Sequence, residues 1–379
     1  MRFLVNKKKL VEAISIAQEI ISTKNSGSIL SNILLILKDG SVCVKATDVK
    51  TKYEAEISAQ VFETGNLTVH CDKFMEILNS LPDGEIEIFQ KNDDENDFDD
   101  AGNINIIIKP VIEKIKFQMK IVIHKKIPEF SFTDHIPYFE ISSKDFKEMI
   151  SQTLFAVSTE EMRYFMNGVF FEKKGNDLVL VATDGRRLSF ISKPILANVR
   201  DFSSVIVHPK ILNMVLKYAP DEGNISVAIV EKEFFCKFFN YKFSAILLEG
   251  QFPNYTRVIP KNQSFIFYVK KMDLSNALTK HISLMLDKKN SRIYFNISDG
   301  ILKITSFQED IGSVDEEISC KFSGESCTIA FNFSYIAEPV KEINTEMIAF
   351  EFTEEMKAVT MRPEPIQDYF HVIMPMQKE

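Results

Sequence analysis

The chain has 379 residues, 45% of them hydrophobic, which is enough for two or three hydrophobic cores rather than one. It contains no run of about 18 uncharged apolar residues. Its opening Met1-Arg2-Phe3-Leu4-Val5-Asn6-Lys7 passes at once from a short apolar stretch into charge, so neither a membrane helix nor a secretion signal is expected. The net charge of −8 is opposite in sign to the usual nucleic-acid binder.

In chain order, Phe3-Leu4-Val5 reads as a short strand, and Leu10, Ile14, Ala17 and Ile21 recur at helical spacing behind it. The turn at Asp39-Gly40 leads into a β-rich run ending at Thr47-Asp48. Leu67-Thr68-Val69 begins a second strand–helix pair, its helix running from Phe74 to Leu81. Residues 91–103 then gather Asp93, Asp94, Glu95, Asp97, Asp99 and Asp100 against Lys91, a local charge of −5. This segment reads as a solvated loop, and the remainder of the chain carries only −3, which permits a local basic surface.

The same order of elements then returns twice. Tyr138-Phe139-Glu140-Ile141 precedes a helical pattern of Phe146, Met149, Ile150, Thr153 and Leu154, and Phe265-Ile266-Phe267-Tyr268-Val269 precedes Leu274, Leu278, Ile282 and Met285. The turn-and-strand run returns as 175–184, ending in Thr183-Asp184, and more weakly as 298–307. The second strand–helix pair returns as Val205-Ile206-Val207 with Ile211 to Ala219, and as Thr328-Ile329-Ala330 with Tyr335 to Glu342. Hairpin-like strands such as Phe234 to Leu248 close each copy. Asp48 and Asp184 are 136 residues apart, Asp184 and Phe307 only 123; the excess of 13 is the length of the acidic stretch, an insertion in copy one. The fold class is therefore α+β: three tandem copies of one domain, each with two helices on one face of antiparallel sheets. Boundaries fall near His135 and Asn262, where Ile136-Pro137 and Pro260-Lys261-Asn262 have linker composition, giving copies 1–135, 136–262 and 263–379.

Motifs of catalysis are missing: no phosphate loop, no dinucleotide fingerprint, no nucleophile elbow, no zinc-protease helix. His70, His124, His135, His208, His281 and His371 stand singly rather than at zinc-site spacing. Asp97, Asp99 and Gly102 fit the first, third and sixth places of a calcium loop, but the twelfth is Ile108, so no metal is expected, nor any cofactor. Cys43, Cys71, Cys236, Cys320 and Cys327 are odd in number and scattered, which suits reduced thiols in a cytoplasm. Two other readings stay open on the residues alone: a carboxylate- and metal-dependent nuclease or hydrolase using Asp48 and Asp184, and a monomeric peptide-binding scaffold that ignores DNA. Because the Thr-Asp pair repeats in two copies, it reads first as a structural turn, and no enzyme is expected.

Four separated segments, Glu161 to Val169, Ala182 to Leu188, Gly250 to Pro260 and the ending Val372-Ile373-Met374-Pro375-Met376, resemble the bacterial sliding clamp, the beta subunit of DNA polymerase III. The likeness runs along essentially the whole chain, in order. It implies a head-to-tail homodimeric ring enclosing double-stranded DNA, with helices lining the hole and sheets outside. Lys116-Phe117-Gln118-Met119 matches the family's ring-closing edge, which makes Phe117 and Met119 interface residues against Leu284 and Met285 of copy three. The DNA-lining positions carry over onto Lys24, Lys73, Tyr164 and Lys210. Lysines directed at phosphates give sequence-independent attraction, which suits sliding. Glu160, Asp72 and Phe165 depart from the residues common there, which implies weaker direct contact with DNA.

The resemblance also implies a partner-peptide cleft made by Met166, Thr183, Gly185, Arg186, Leu188, Pro253, Arg257, Val258, Met356, Val372, Ile373, Met374, Pro375 and Met376. Methionines are unbranched and polarizable, so such a cleft repacks around different apolar side chains. The partners implied are the DNA polymerase III alpha subunit, the clamp loader, and other polymerases and repair proteins, docking through short peptides with a glutamine and bulky apolar residues. Arg186 replaces a frequent histidine, and Gln377-Lys378-Glu379 makes a longer, more polar tail, so the rim is expected to favour somewhat different peptides.

Overall fold

A computed structural model describes residues 1–21, 29–90, 103–122, 128, 130, 132, 135–195, 199–282, 292–308 and 312–378. Lys24, Leu284, Met285 and all of the acidic stretch except Asn103 lie outside the described residues. No described helix is long and apolar enough to cross a membrane.

Among the described residues each copy contributes two α-helices, and each follows directly on a strand. They are α1 (Lys7–Ile20) and α2 (Cys71–Ser80), α3 (Ser143–Leu154) and α4 (Pro209–Tyr218), and α5 (Lys271–His281) and α6 (Phe333–Glu342). Local chemistry fixes where several of them start. The side chains of Asn6, Ser142, His208 and Asn332 accept hydrogen bonds from first-turn N–H groups of α1, α3, α4 and α6, and Pro209 occupies the opening position of α4. The apolar spacing then buries one face, for example Leu10, Ala13, Ile14 and Ala17 in α1 and Ile211, Leu212, Met214 and Val215 in α4.

The chain folds as two compact units, Met1–Glu140 with Asn224–Ile246, and Ile141–Gly223 with Leu247–Glu379. In the first, antiparallel strands run in the order Phe117–Val122, Asn103–Pro110, Glu85–Gln90, Arg2–Asn6, Thr51–Glu63, Tyr241–Ile246, Glu233–Phe238 and Asn224–Val230. Strands Ser41–Thr47, Asn32–Lys38 and Gly65–His70 continue from the other edge of Thr51–Glu63. Helix α1 lies against α2 here, and Tyr53, fully buried, donates from its hydroxyl to the Ala13 carbonyl at 3.1 Å.

The second unit repeats the plan. Its order is Val205–Val207, Val169–Lys174, Asp177–Thr183, Arg187–Pro194, Tyr369–Ile373, Val359–Glu364, Met347–Phe352, Phe265–Lys270, Gly312–Phe322, Ile301–Gln308, Arg292–Ser298 and Cys327–Asn332. Helices α3 and α4 pack together, as do α5 and α6.

The two units cut across the three sequence copies for a definite reason. The last strands of a copy hydrogen-bond to the long strand of the copy before it. Tyr241–Ala245 pairs with Ala55–Thr51, and Tyr369–Ile373 pairs with Ile191–Arg187. Copy two's closing hairpin therefore belongs to the first unit.

Gly168, in the turn before strand Val169–Lys174, sits where a side chain has no room. A Cβ there would meet the Val207 carbonyl oxygen at 2.6 Å and methyl groups of Ile206 and Leu248 at 2.8 Å. The Gly168→Ala substitution must part backbone from backbone, and we expect it to cost about 1–3 kcal/mol. Urea unfolding of the full chain measures this, and an unchanged midpoint would show that the strands separate freely.

Candidate partner-binding groove

The site begins with a turn. In copy two, the Thr183 hydroxyl accepts from the Gly185 N–H at 3.0 Å and donates to the Arg187 carbonyl at 2.6 Å. Asp184 Oδ1 accepts from the N–H groups of Arg186 and Arg187 at 2.9 and 3.0 Å. The same Thr-Asp chemistry closes copy one's turn: Thr47 Oγ1 donates to the Thr51 carbonyl at 2.8 Å, and Asp48 Oδ1 accepts from the Thr51 N–H at 2.6 Å. Both carboxylates of the nuclease reading are thus engaged in holding turns. Gly185 has φ +87°, a conformation that favours glycine, and a Cβ on it would also push the end of the Arg163 side chain, whose Nη1 would lie 2.9 Å away.

The turn launches strand Arg187–Pro194, which pairs with Tyr369–Ile373 so that Leu188 stands opposite Val372. Below them lies a core of Val179, Val181, Leu188, Ile206, Phe252, Tyr255 and Val372. Phe170 stacks on Phe252 with ring centroids 4.6 Å apart. The Tyr255 hydroxyl donates to Glu172 Oε2 at 2.6 Å and accepts from Lys174 Nζ at 2.5 Å; burial first, then the hydrogen bond to Glu172, pushes its pKa up. This rigid floor carries an apolar groove of about 160 Å³.

Nine expected cleft residues come together on its wall: Met166, Thr183, Gly185, Arg186, Leu188, Pro253, Val258, Val372 and Met374. Arg257, Met356, Ile373, Pro375 and Met376 do not line it. Ile373 is 1% exposed, because successive residues of a strand face opposite sides and Val372 already faces the groove. The Met376 N–H is drawn away to the Ala330 carbonyl at 2.7 Å. Arg187, Asn254 and Tyr255 line the groove although the sequence pattern did not single them out. Each sits inside a segment that carries the family resemblance, so adjacency was the available signal.

Arg187 is the structural cation of the site. It donates to Asp184 Oδ2 at 3.1 Å, to the Phe155 carbonyl at 2.6 Å and to Glu338 of α6. Its guanidinium also lies 4.6 Å from the Tyr335 ring centroid and 5.6 Å from that of Phe155. Beside it, His371 is 1% exposed, with Nδ1 3.0 Å from Ser189 Oγ. Burial, reinforced by the Arg187 charge, pushes its pKa down to about 3.

Of the expected DNA-facing residues, Lys73 is exposed on the first turn of α2, Tyr164 is 54% exposed in the 3₁₀ turn Glu161–Met166, and Lys210 is half-buried at the start of α4. The departures have local partners: Asp72 accepts from Gln18 Nε2 at 2.9 Å, and Glu160 pairs with Arg163 at 3.3 Å. Phe117 is half-buried and Met119 9% exposed on the outermost strand of the first unit.

Comparison with known proteins decides the family. Residues 1–107, 140–254 and 256–377 match the N-terminal, central and C-terminal domains of the DNA polymerase III beta subunit. The chain belongs to the beta sliding clamp family. It is 37% identical over 383 residues to the beta sliding clamp of Treponema pallidum, with all of both chains covered. Among solved structures, it is similar to a Bacillus subtilis sliding clamp (TM-score 0.90, 23% identity) and to a Bartonella birtlesii sliding clamp bound to griselimycin (TM-score 0.89, 25% identity), again over all of both chains. The three copies are thus three tandem clamp domains, and the groove lies where the last strand of clamp domain three joins domain two.

Two consequences are measurable. Arg187→Ala leaves Asp184 and Glu338 without their shared cation; because Glu338 retains contact with water, the expected loss is about 2–3 kcal/mol, read by thermal or urea unfolding. Arg187→Lys, lacking the planar fork, is expected to recover only part of it. For His371 the folded pKa lies below the ordinary 6.5. The unfolded chain therefore binds the proton more readily, and the contribution to stability is complete above pH 6.5 and lost as pH falls toward 3. The slope is at most about 1.4 kcal/mol per pH unit. Urea unfolding of the parent and of His371→Asn at pH 7, 6 and 5 tests it, and equal slopes in the two proteins would refute it.

Proposed function

We propose that this protein is a cytoplasmic, non-enzymatic processivity clamp. Two chains close head to tail around double-stranded DNA, and the ring tethers a polymerase to its template. Its domains are 1–135, 136–262 and 263–379. The groove receives short peptides of the DNA polymerase III alpha subunit, the clamp loader, and other polymerases and repair proteins.

The observation that carries ring closure is the strand exchange between copies. Copy two's last strand completes copy one at Thr51–Ala55, and copy three's last strand completes copy two at Arg187–Ile191. One strand and one edge remain. Among the described residues, Phe117–Val122, the last strand of copy one, pairs only with Asn103–Ile108. Among the described residues, Gly312–Ile318 of copy three pairs only with Leu302–Gln308, while the following Cys320–Phe322 pairs with Phe267–Val269 as Ala59–Glu63 pairs with Arg2–Val5. Gly312–Ile318 therefore holds the place in copy three that Thr51–Ile57 holds in copy one. An unpaired edge of this kind is a template for another chain, and Phe117–Val122 of a second copy is the strand the repeat supplies. Charge agrees: Lys114, Lys116 and Lys120 flank or occupy the first edge, and Asp315, Glu316 and Glu317 the second. The pairing is heterologous, and it closes when made twice.

Encirclement also accommodates the charge of −8. A ring held by topology requires only modest attraction to phosphates, supplied here by Lys24, Lys73 and Lys210 with Tyr164 beside them.

The test loads the protein with a clamp loader and ATP onto nicked circular DNA and then linearises the circle. We expect the protein to stay on the circle, leave the linear product, and remain on linear DNA whose ends are blocked. Retention on linear DNA with free ends would sink the topological mechanism.

A further inference from the structure

Helix α5 ends on a histidine that is cut off from water. His281 is fully buried, and its Nδ1 lies 2.7 Å from the Ser306 hydroxyl on strand Ile301–Gln308. Among the described residues its other ring nitrogen, Nε2, is buried and has no hydrogen-bond partner. A neutral imidazole tolerates such a place, whereas a charged one would be a buried ion with a single hydroxyl to receive it.

The ring lies directly behind the open edge of copy three. Ser306 stands opposite Val314 and Ile304 opposite Glu316, so Val314 and Glu316 share the face of Gly312–Phe322 that meets α5. Lys280, the neighbour of His281, pairs with Glu316 at 2.6 Å. The last turn of α5 is therefore tied to the edge strand through Lys280 and to the strand beside it through His281.

Burial holds the His281 pKa below the ordinary 6.5, against the pull of Glu316 and Asp315 and with the help of Lys280. Asp315 points from the opposite face of the edge strand and is paired with Lys303 at 3.2 Å. The other elements packed on α5 bring no further charge to its end. Lys271 at the start of α5 meets the Lys341 carbonyl at the end of α6, so the two helices run antiparallel and the charged last turn of α6 is at the far end from His281. Glu338, further along α6, is bound to Arg187. On strand Phe265–Lys270, Phe267 and Val269 are buried and Lys270 is exposed.

We propose that His281 makes ring closure sensitive to protons: when it takes a proton from solvent, the last turn of α5 parts from the edge strand, and Gly312–Ile318 is no longer held in shape to pair with Phe117–Val122 of a second copy. The inference rests on the ring-closure reading of that edge. A charged ring needs water, and water reaches it only if α5 lifts from the strands, which breaks the Ser306 contact and the Lys280–Glu316 pair together. The loosened chain binds the proton with the ordinary affinity and the seated chain more weakly. Seating is therefore complete above pH 6.5 and weakens as pH falls below it.

Subunit exchange between normal and isotopically heavy full-length chains, followed by native mass spectrometry at pH 7.5, 6.5 and 5.5, reads the opening rate. We expect the parent to exchange at least about threefold faster at pH 5.5 than at pH 7.5, and at most about tenfold faster for each interface that must open. His281→Gln and His281→Asn are expected to exchange at one rate across the range, and His371→Asn, altered at a buried histidine elsewhere, to keep the parent's rise. Hydrogen exchange on the parent needs no substitution: corrected for intrinsic rates, the amides of Gly312–Ile318 are expected to lose protection at pH 5.5 while those of Thr51–Ile57 keep theirs. A dimer whose exchange rate is the same at every pH, a rise that survives in the His281 variants, or unchanged protection of Gly312–Ile318 overturns the proton sensitivity and leaves ring closure standing. A parent that forms no dimer at pH 7.5 overturns the ring-closure reading and this inference with it.

Discussion

Backbone hydrogen bonding between the closing strand of one copy and the long strand of the copy before it is the constraint from which the other features follow. A closing strand pairs with its own hairpin on one edge, and its other edge must be satisfied somewhere. Tyr241–Ile246 finds Thr51–Ala55, and Tyr369–Ile373 finds Arg187–Ile191. A chain of three such copies necessarily leaves one closing strand and one long strand over, the two edges from which a ring can be built.

The same junction places the groove, and side chains give the two junctions different surfaces. Where copy two meets copy one, the strands bring together Tyr53, Tyr241, Phe243 and Phe238, whose rings lie 5.2 to 6.2 Å apart. Where copy three meets copy two, the paired residues are Leu188 and Val372, with Met166, Met374 and Val258 around them. Aliphatic and methionine side chains, smaller than those aromatic rings, line a depression over a floor of stacked Phe170 and Phe252. Equivalent backbones thus carry packed aromatic rings in one place and an open groove in the other.

Much of this was legible in the sequence because it is local. The alternation of strand and helix and the Thr-Asp turns depend on neighbours within a few positions. Residues separated by long stretches of chain were another matter. The sequence did not single out Arg187, yet Glu338 and Tyr335 make it a half-buried staple while its neighbour Arg186 stays exposed. Strand periodicity also argued against placing both Val372 and Ile373 in the cleft, since adjacent residues of one strand take opposite faces. The assignment of closing strands to the preceding copy left no trace in hydrophobic spacing, which reports burial and not the identity of the partner.

Charge follows the same division between what holds the fold and what meets a partner. Near the groove, Arg187 and Arg163 are each matched to carboxylates of the chain, so their charges are directed inward. Asp72 is likewise bound to Gln18, across the packing of α1 on α2. A protein that gripped DNA by surface attraction would set such acids far from its lysines, because each one lowers the local potential. A protein that holds DNA by enclosure is under no such demand, since escape requires opening the strand-paired interface and not merely breaking contacts with phosphate. If the ring closes by the strand pairing proposed above, the hold on DNA resides in backbone hydrogen bonds between chains, and weak attraction to phosphate suffices for sliding.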